Sequence, residues 1–220
     1  MTNLTFDISH FLAGGMLVLS FVILYQDRLS SLLNTFAMQA TVLAAAVAWQ
    51  AQVQHAPHLY VTAVIALVFK AAIIPAALRR IMVKLGIHRE IEPVVGVGVT
   101  LLAGVGLAAL SILLLYPVTA DAQAFTREDL AFALAVVLLG LLTMITRHNA
   151  ISQIIGFMSL ENGLVLAATG ANGMPLVVEI SVAFSILIAF LIFGIFVFRM
   201  RERFDTVDIH ALDRFRKGRA

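Results

Sequence analysis

Seven long apolar runs dominate the chain and restrict the class of fold that it can adopt. They cover approximately residues 9–26, 32–52, 60–79, 94–116, 130–146, 151–169 and 176–198. Even the shortest run, 130–146, would extend about 25 Å as an α-helix, close to the roughly 30 Å hydrocarbon core of a bilayer. Lipid offers no hydrogen bonds to the backbone, so only helices or a closed barrel can cross it. The runs lack the alternation of barrel strands. The sequence therefore predicts an all-α integral membrane protein with seven transmembrane helices.

Composition supports this class and excludes several kinds of site. Charged residues make up 13% of the chain and hydrophobic residues 61%, whereas soluble domains contain about 25% charged residues. Cysteine is absent, which excludes thiolate-ligated iron–sulfur clusters, disulfides and a redox dithiol. The sequence contains no glycine-rich phosphate loop, nucleophile elbow or zinc-binding helix motif. We therefore expect a chain that is not catalytic by itself and carries no cofactor or metal.

The distribution of basic residues predicts the orientation of the helices. Of the 15 lysines and arginines, 13 lie in or beside the connections 26–31, 80–93 and 147–150 or in the segment 199–220. Arg127 falls on the opposite side, and Lys70 lies within the third run. Because basic residues accumulate on the cytoplasmic side, we predict that the N-terminus is outside and the C-terminus cytoplasmic. The concentration of basic residues in the predicted cytoplasmic loops also accounts for the basic isoelectric point, so a nucleic-acid partner is not needed to explain it.

The runs suggest a division into two membrane units. We predict an N-terminal four-helix bundle (1–116), an outer loop (117–129), a three-helix module (130–198) and a cytoplasmic tail (199–220). The tail is too polar to cross lipid, and it can lie on the membrane or dock on a cytoplasmic partner. Small residues recur on the fourth and sixth runs, where they can serve packing within the chain or docking of another subunit; they are Gly96, Thr100, Gly104, Ala108, Ser152, Gly156, Ser159 and Gly163.

Two ionisable residues lie near the middle of membrane runs. Glu161 occupies the sixth run and Lys70 the third, five residues before Pro75, which removes a backbone donor and loosens the helix. A charged residue at this depth costs roughly 2.5–3.5 kcal/mol on insertion scales. Since both lie at similar depth, an ion pair between them would lower that cost, and such a pair is the kind of group that a proton relay needs. The alternative for Glu161 is a structural hydrogen bond from a permanently protonated acid.

Further polar residues extend this hypothesis toward the two membrane surfaces. Asn162 adjoins Glu161, and His148 lies in the predicted cytoplasmic turn, where it could collect protons or remain a solvated loop residue. Glu179 and Ser185 lie on the seventh run, with Glu179 near its outer end. Glu179 could face a water-filled vestibule or simply mark the interface. The candidate proton path thus comprises Glu161, Lys70, Glu179, Asn162, His148 and Ser185.

The last three runs resemble a known family. Arg147-His148-Asn149 followed by Ile155-Gly156-Phe157-Met158-Ser159-Leu160-Glu161-Asn162-Gly163 resembles the second helix of the K-type subunit of respiratory complex I. It also resembles the C subunit of multisubunit sodium/proton antiporters. The whole chain is most similar to the E subunit of hydrogenase-4-type nickel–iron hydrogenases, through Lys70 with Pro75, Val178-Glu179-Ile180 and Thr206-Val207-Asp208. Glu179 lies nearer the outer end than its K-type counterpart, and Ser185 stands where the E-subunit family has an acid.

The resemblance implies a membrane subunit of an energy-converting, complex I-like assembly in a bacterial or archaeal cytoplasmic membrane. Its partners would be antiporter-like and hydrogenase membrane subunits, with peripheral nickel–iron or other redox subunits on the cytoplasmic side. Glu161 would then carry protons, with Lys70 tuning it and Glu179 leading to the outer face. Two alternatives remain: a scaffold of the membrane arm that carries no protons, and a subunit of a sodium/proton antiporter.

Overall fold

The chain folds into a bundle of antiparallel helices because each apolar run is long enough to close its backbone hydrogen bonds internally. The computed structural model of the protein describes residues 2–85, 96–118, 124–147, 149–170 and 187–188. Within these ranges no residue forms a β-strand. The elements in chain order are α1 (Thr2–Tyr25), α2 (Leu29–Val53), α3 (His58–Ile65), a π-helical segment (Ala66–Ile73), α4 (Ile74–Leu85), α5 (Val97–Val118), α6 (Ala124–Ile145) and α7 (Ala150–Gly170).

Five continuous helical stretches of the described residues are long and apolar enough to cross a membrane, as a multi-pass membrane protein requires; the third combines α3, the π-helical segment and most of α4. They are 5–25, 29–53, 58–83, 97–115 and 151–170, while the apolar part of α6 covers the 17 residues 129–145. The all-helical prediction is therefore confirmed for the described residues. Of the predicted seventh run, only Leu187 and Ile188 belong to the described residues, and the tail 199–220 lies outside them.

Both ends of the predicted outer loop 117–129 belong to helices, and residues 119–123 lie outside the described residues. α5 continues to Val118 and α6 begins at Ala124, so much of this polar stretch is helical. A helix can continue past the apolar layer wherever its polar side chains reach water, and residue polarity marks the end of the membrane run rather than the end of the helix. The structure leaves residues 119–123 between the two elements.

The third run adopts an unusual winding. α3, the π-helical segment and α4 follow each other without interruption, and the N–H of Ile74 donates to the carbonyl of Phe69, five residues earlier. Pro75 is the second residue of α4, two positions after the end of this segment, and has no N–H to donate to the preceding turn. The predicted disturbance by Pro75 therefore takes the form of a widened helix, a feature that is common at functional sites. Lys70 lies within it.

α6 and α7 form the antiparallel hairpin that the short 147–150 connection predicts. Their backbones meet at three glycines, Gly140, Gly156 and Gly163. A Cβ on Gly140 would lie 2.5 Å from the backbone nitrogen of Leu160, and Cβ atoms on the other two would lie 2.8–2.9 Å from α6 atoms. For Gly156 and Gly163, the small-residue pattern therefore serves packing within the chain.

The core of the described residues contains two large apolar layers and a smaller cluster of Leu24, Leu139 and Leu142. One layer joins the end of α1, the start of α2, α4 and the start of α7, and is centred on Phe36, Leu78 and Ile155. The other joins α1, α2, α3, α6 and α7, with Leu43 and Val136 among its members. Both layers include helices from each predicted unit, so the four-helix bundle and the three-helix module share their core.

Candidate functional site

A polar layer separates the two apolar layers. It consists of six buried residues from four neighbouring elements: Ser20, Gln39, Lys70, Ser159, Glu161 and Asn162. Along α2, Phe36 belongs to the first apolar layer and Leu43 to the second. Gln39 lies between them, about one helical turn from each. Glu161 lies about 16 Å along the axis from the start of α7 and about 13 Å from its end. The polar layer is therefore at mid-depth of the helices.

Lys70 and Glu161 form a buried ion pair at the centre of this layer. The Nζ atom of Lys70 lies 3.1 Å from Oε1 of Glu161, and both side chains are about 95% buried. The pairing predicted from their common depth is confirmed. The same ammonium group donates to Oδ1 of Asn162 at 3.0 Å. Two of its three N–H donors thus have partners from adjacent positions on α7.

Amide and hydroxyl groups continue the layer away from the ion pair. Nδ2 of Asn162 donates to Oε1 of Gln39 at 3.3 Å. Nε2 of Gln39 then donates to the hydroxyls of Ser20 at 2.8 Å and Ser159 at 3.0 Å. Ser20 in turn donates to the carbonyl of Met16. Each amide accepts on its oxygen and donates from its nitrogen, so the chain of donors leads from the ammonium group of Lys70 toward α1.

The polar layer contains two kinds of group: ionisable side chains that can carry protons, and amides that hold those side chains in position. Lys70 and Glu161 can each gain or lose a proton, whereas the amides of Asn162 and Gln39 do not titrate. Amides with fixed partners instead orient the ionisable pair and satisfy it away from water. The arrangement therefore suits reversible proton exchange at one carboxyl–ammonium pair within a rigid polar frame.

Arg147 lies in the turn between α6 and α7, at one end of the bundle. It is 3% exposed, and its Nη2 donates to the carbonyl of Leu24 at 2.6 Å, near the end of α1. Burial lowers the pKa of the Arg147 guanidinium, and the nearby Asp27 carboxylate offsets part of that shift. Arg147 thus satisfies a terminal carbonyl of α1 and fixes the α6–α7 turn to it.

The candidate proton path also included three residues nearer the membrane surfaces. His148, Glu179 and Ser185 lie outside the described residues. In the part of the chain that the structure describes, no group of three or more histidine, aspartate or glutamate side chains is arranged to hold a metal ion.

Three residues of the polar layer were not predicted as site residues from the sequence: Ser20, Gln39 and Ser159. A glutamine within the apolar run of α2 was the available signal, because uncharged polar residues in membrane helices often bond across helices. Its depth matches that of Glu161, but depth alone does not show which face of α2 meets α7.

Comparison with known proteins finds one long match in Mycobacterium tuberculosis. The "Uncharacterized protein Rv0085" of that organism is 30% identical over 219 residues, which cover 98% of this chain and 100% of that protein. The chain belongs to the same family as Rv0085. No protein-family model matches the sequence, and no solved structure matches it. The match spans essentially the whole length of both chains.

Proposed function

We propose that this protein is a non-catalytic membrane subunit of a hydrogenase-4-type or complex I-like energy-converting assembly, and that it carries protons through Glu161 and Lys70. The observation that supports this most is the buried pair itself. Both charges lie at mid-depth of helices that are otherwise apolar, where an ionisable residue is costly and commonly functional. The resemblance of the segment around Glu161 to K-type subunits supports the same role.

Each residue of the polar layer has a distinct part in this proposal. Glu161 takes up and releases the transported proton, and Lys70 is its electrostatic partner. Because the two groups interact at 3.1 Å, their protons leave as those of a coupled pair rather than of two independent residues. Asn162 and Gln39 are positioning residues, which hold the ammonium group against α7. His148, Glu179 and Ser185 would connect the pair to the two membrane surfaces.

In the assembly, redox chemistry in peripheral nickel–iron or related subunits would drive the protonation cycle of the membrane arm. We place the protein in a bacterial or archaeal cytoplasmic membrane, with hydrogenase and antiporter-like subunits beside it. The chain holds no cofactor in this proposal. Its contribution is the path for the ion.

The test is proton transport by the assembled complex after the substitution Glu161→Gln, which keeps the shape of the side chain and removes its charge. We expect transport to be abolished while the complex still assembles. Asp7→Asn is the matched control, because Asp7 is an exposed carboxylate near the start of α1. Normal transport in Glu161→Gln would overturn the assignment of Glu161 as the proton carrier.

A scaffold that carries no protons is the second candidate, since a buried ion pair between two helices also holds those helices together. A scaffold should lose assembly on deletion of residues 199–220 and retain transport in Glu161→Gln. A sodium/proton antiporter subunit differs from both because its transport requires sodium. Measuring proton transport with and without sodium separates this reading from the first.

A further inference from the structure

An open groove lies between α2, the π-helical segment and α4. Its volume is about 670 Å³, within the range of small-molecule sites. Alanines line its length, including Ala37 on α2 and Ala71, Ala72 and Ala76 on the third run, together with Pro75. Their small side chains leave an apolar trough on a surface that is expected to face lipid.

One end of the groove is polar and basic. Arg79, Arg80 and Asn34 line this end, and a guanidinium N–H of Arg79 donates to the amide oxygen of Asn34. All three residues are exposed, and none of the residues that line the groove is acidic. Ala72 and Arg79 are seven residues apart, about 10 Å along the helix axis. The groove therefore has an apolar part about 10 Å long and a positively charged end.

The two parts match the two parts of an anionic phospholipid. Arginine binds phosphate through parallel N–H donors, and adjacent arginines attract a negative headgroup more strongly than a zwitterionic one. Basic pockets between transmembrane helices on the cytoplasmic side bind such headgroups. The positive-inside prediction assigns this end of α2 and α4 to the cytoplasmic side.

We propose that the groove is a binding site for an anionic phospholipid, with the phosphate at Arg79 and Arg80 and an acyl chain along Ala76, Ala72 and Ala37. The bound lipid would cover Ala71 and Ala72, the two residues that follow Lys70 on the π-helical segment. It would thus fill the outer side of the segment that holds the buried ammonium group. This site does not depend on proton transport by Glu161.

The experiment measures lipid binding to the purified full-length chain by native mass spectrometry after delipidation. Phosphatidylglycerol and phosphatidylcholine with the same acyl chains are added separately. We expect retention of one phosphatidylglycerol and weak retention of phosphatidylcholine. The double substitution Arg79→Gln/Arg80→Gln should weaken phosphatidylglycerol binding about 30-fold, because each charge contributes roughly fivefold. Arg28→Gln is the control, because Arg28 is basic, exposed and on the same predicted side but does not line the groove.

A second variant tests the apolar part without changing any charge. Ala72→Phe places a ring in the trough, and it should also reduce phosphatidylglycerol binding. Equal binding of both lipids, or unchanged binding in either variant, would overturn the proposal. Displacement of the lipid by millimolar inorganic phosphate would show that the acyl chain contributes nothing and would also overturn it. So would a co-purifying membrane protein that cross-links to a cysteine introduced at Ala76, since a partner helix would then occupy the groove.

Discussion

Replacing Lys70 by methionine removes the cation of the buried pair while keeping an unbranched, apolar stem. Unit charges 3.1 Å apart attract each other by about 5 kcal/mol at an effective dielectric constant of about 20. Desolvation offsets much of this attraction in the intact protein. Its loss leaves the Glu161 carboxyl group without its cation, and removal of one member of a buried pair costs about 3–5 kcal/mol. We expect Lys70→Met to lower the free energy of unfolding by this amount.

The informative measurement is the double variant Lys70→Met/Glu161→Gln. With both charges gone, the remaining cost is the unpaired Oδ1 of Asn162, about 1–3 kcal/mol. Adding Glu161→Gln to Lys70→Met should therefore restore about 2 kcal/mol. Most substitutions lower stability, so a gain in stability when Glu161→Gln is added to Lys70→Met would indicate that the two side chains interact.

Unfolding in detergent can be followed by the fluorescence of Trp49, the single tryptophan of the chain. Its indole N–H donates to the carbonyl of Thr5 at 3.1 Å, so its signal reports the contact between α1 and α2. Asp7→Asn on the Lys70→Met background is the control and should restore nothing. If Glu161→Gln changes the stability of Lys70→Met by the same amount as that of the unsubstituted protein, within about 0.5 kcal/mol, the two residues are independent and the ion pair is refuted.

Three further predictions concern the frame around the pair, each measured by the same unfolding assay. Gly140→Ala should destabilise the protein by about 1–3 kcal/mol, because the added methyl group meets the backbone of α7; Gly106→Ala has open space around it and should be neutral or slightly stabilising. Arg147→Gln should cost about 1.5–3 kcal/mol through the lost charge-assisted bond to α1, whereas exposed Arg28→Gln should stay within about 0.5 kcal/mol. Gln39→Leu should cost about 1–3 kcal/mol, since it leaves buried polar partners on two other helices unsatisfied; a change below 0.5 kcal/mol would show that Gln39 does not organise the layer.

The sequence predicted the pairing of Lys70 with Glu161 because the position of a residue along a membrane run gives its depth directly. It did not predict that Gln39 joins them. The face of a helix that meets a given neighbour depends on packing, and runs that are apolar on all sides carry little information about it. The shared core was not predicted either, because chain order alone does not show that α1 and α2 pack against α6 and α7.

Arg147 illustrates a second limit. Counting loop charges treats each one as solvated, and that count predicted the orientation of the helices. The structure instead buries this guanidinium against the last turn of α1. Pro75 gives a third example: a missing backbone donor predicts a disturbed helix, but whether the chain kinks or widens depends on its neighbours. The π-helical winding around Lys70 became visible only in the folded chain.

The glycine contacts between α6 and α7 determine which part of the ion pair can move. With backbone against backbone at Gly140, Gly156 and Gly163, neither helix can slide past the other without steric collision. The backbone that carries Glu161 is therefore held in place by α6. Lys70 lies on the π-helical segment just before Pro75, where the helix is already widened. If the pair carries protons as proposed, we therefore expect Lys70 rather than Glu161 to move first when the two groups separate.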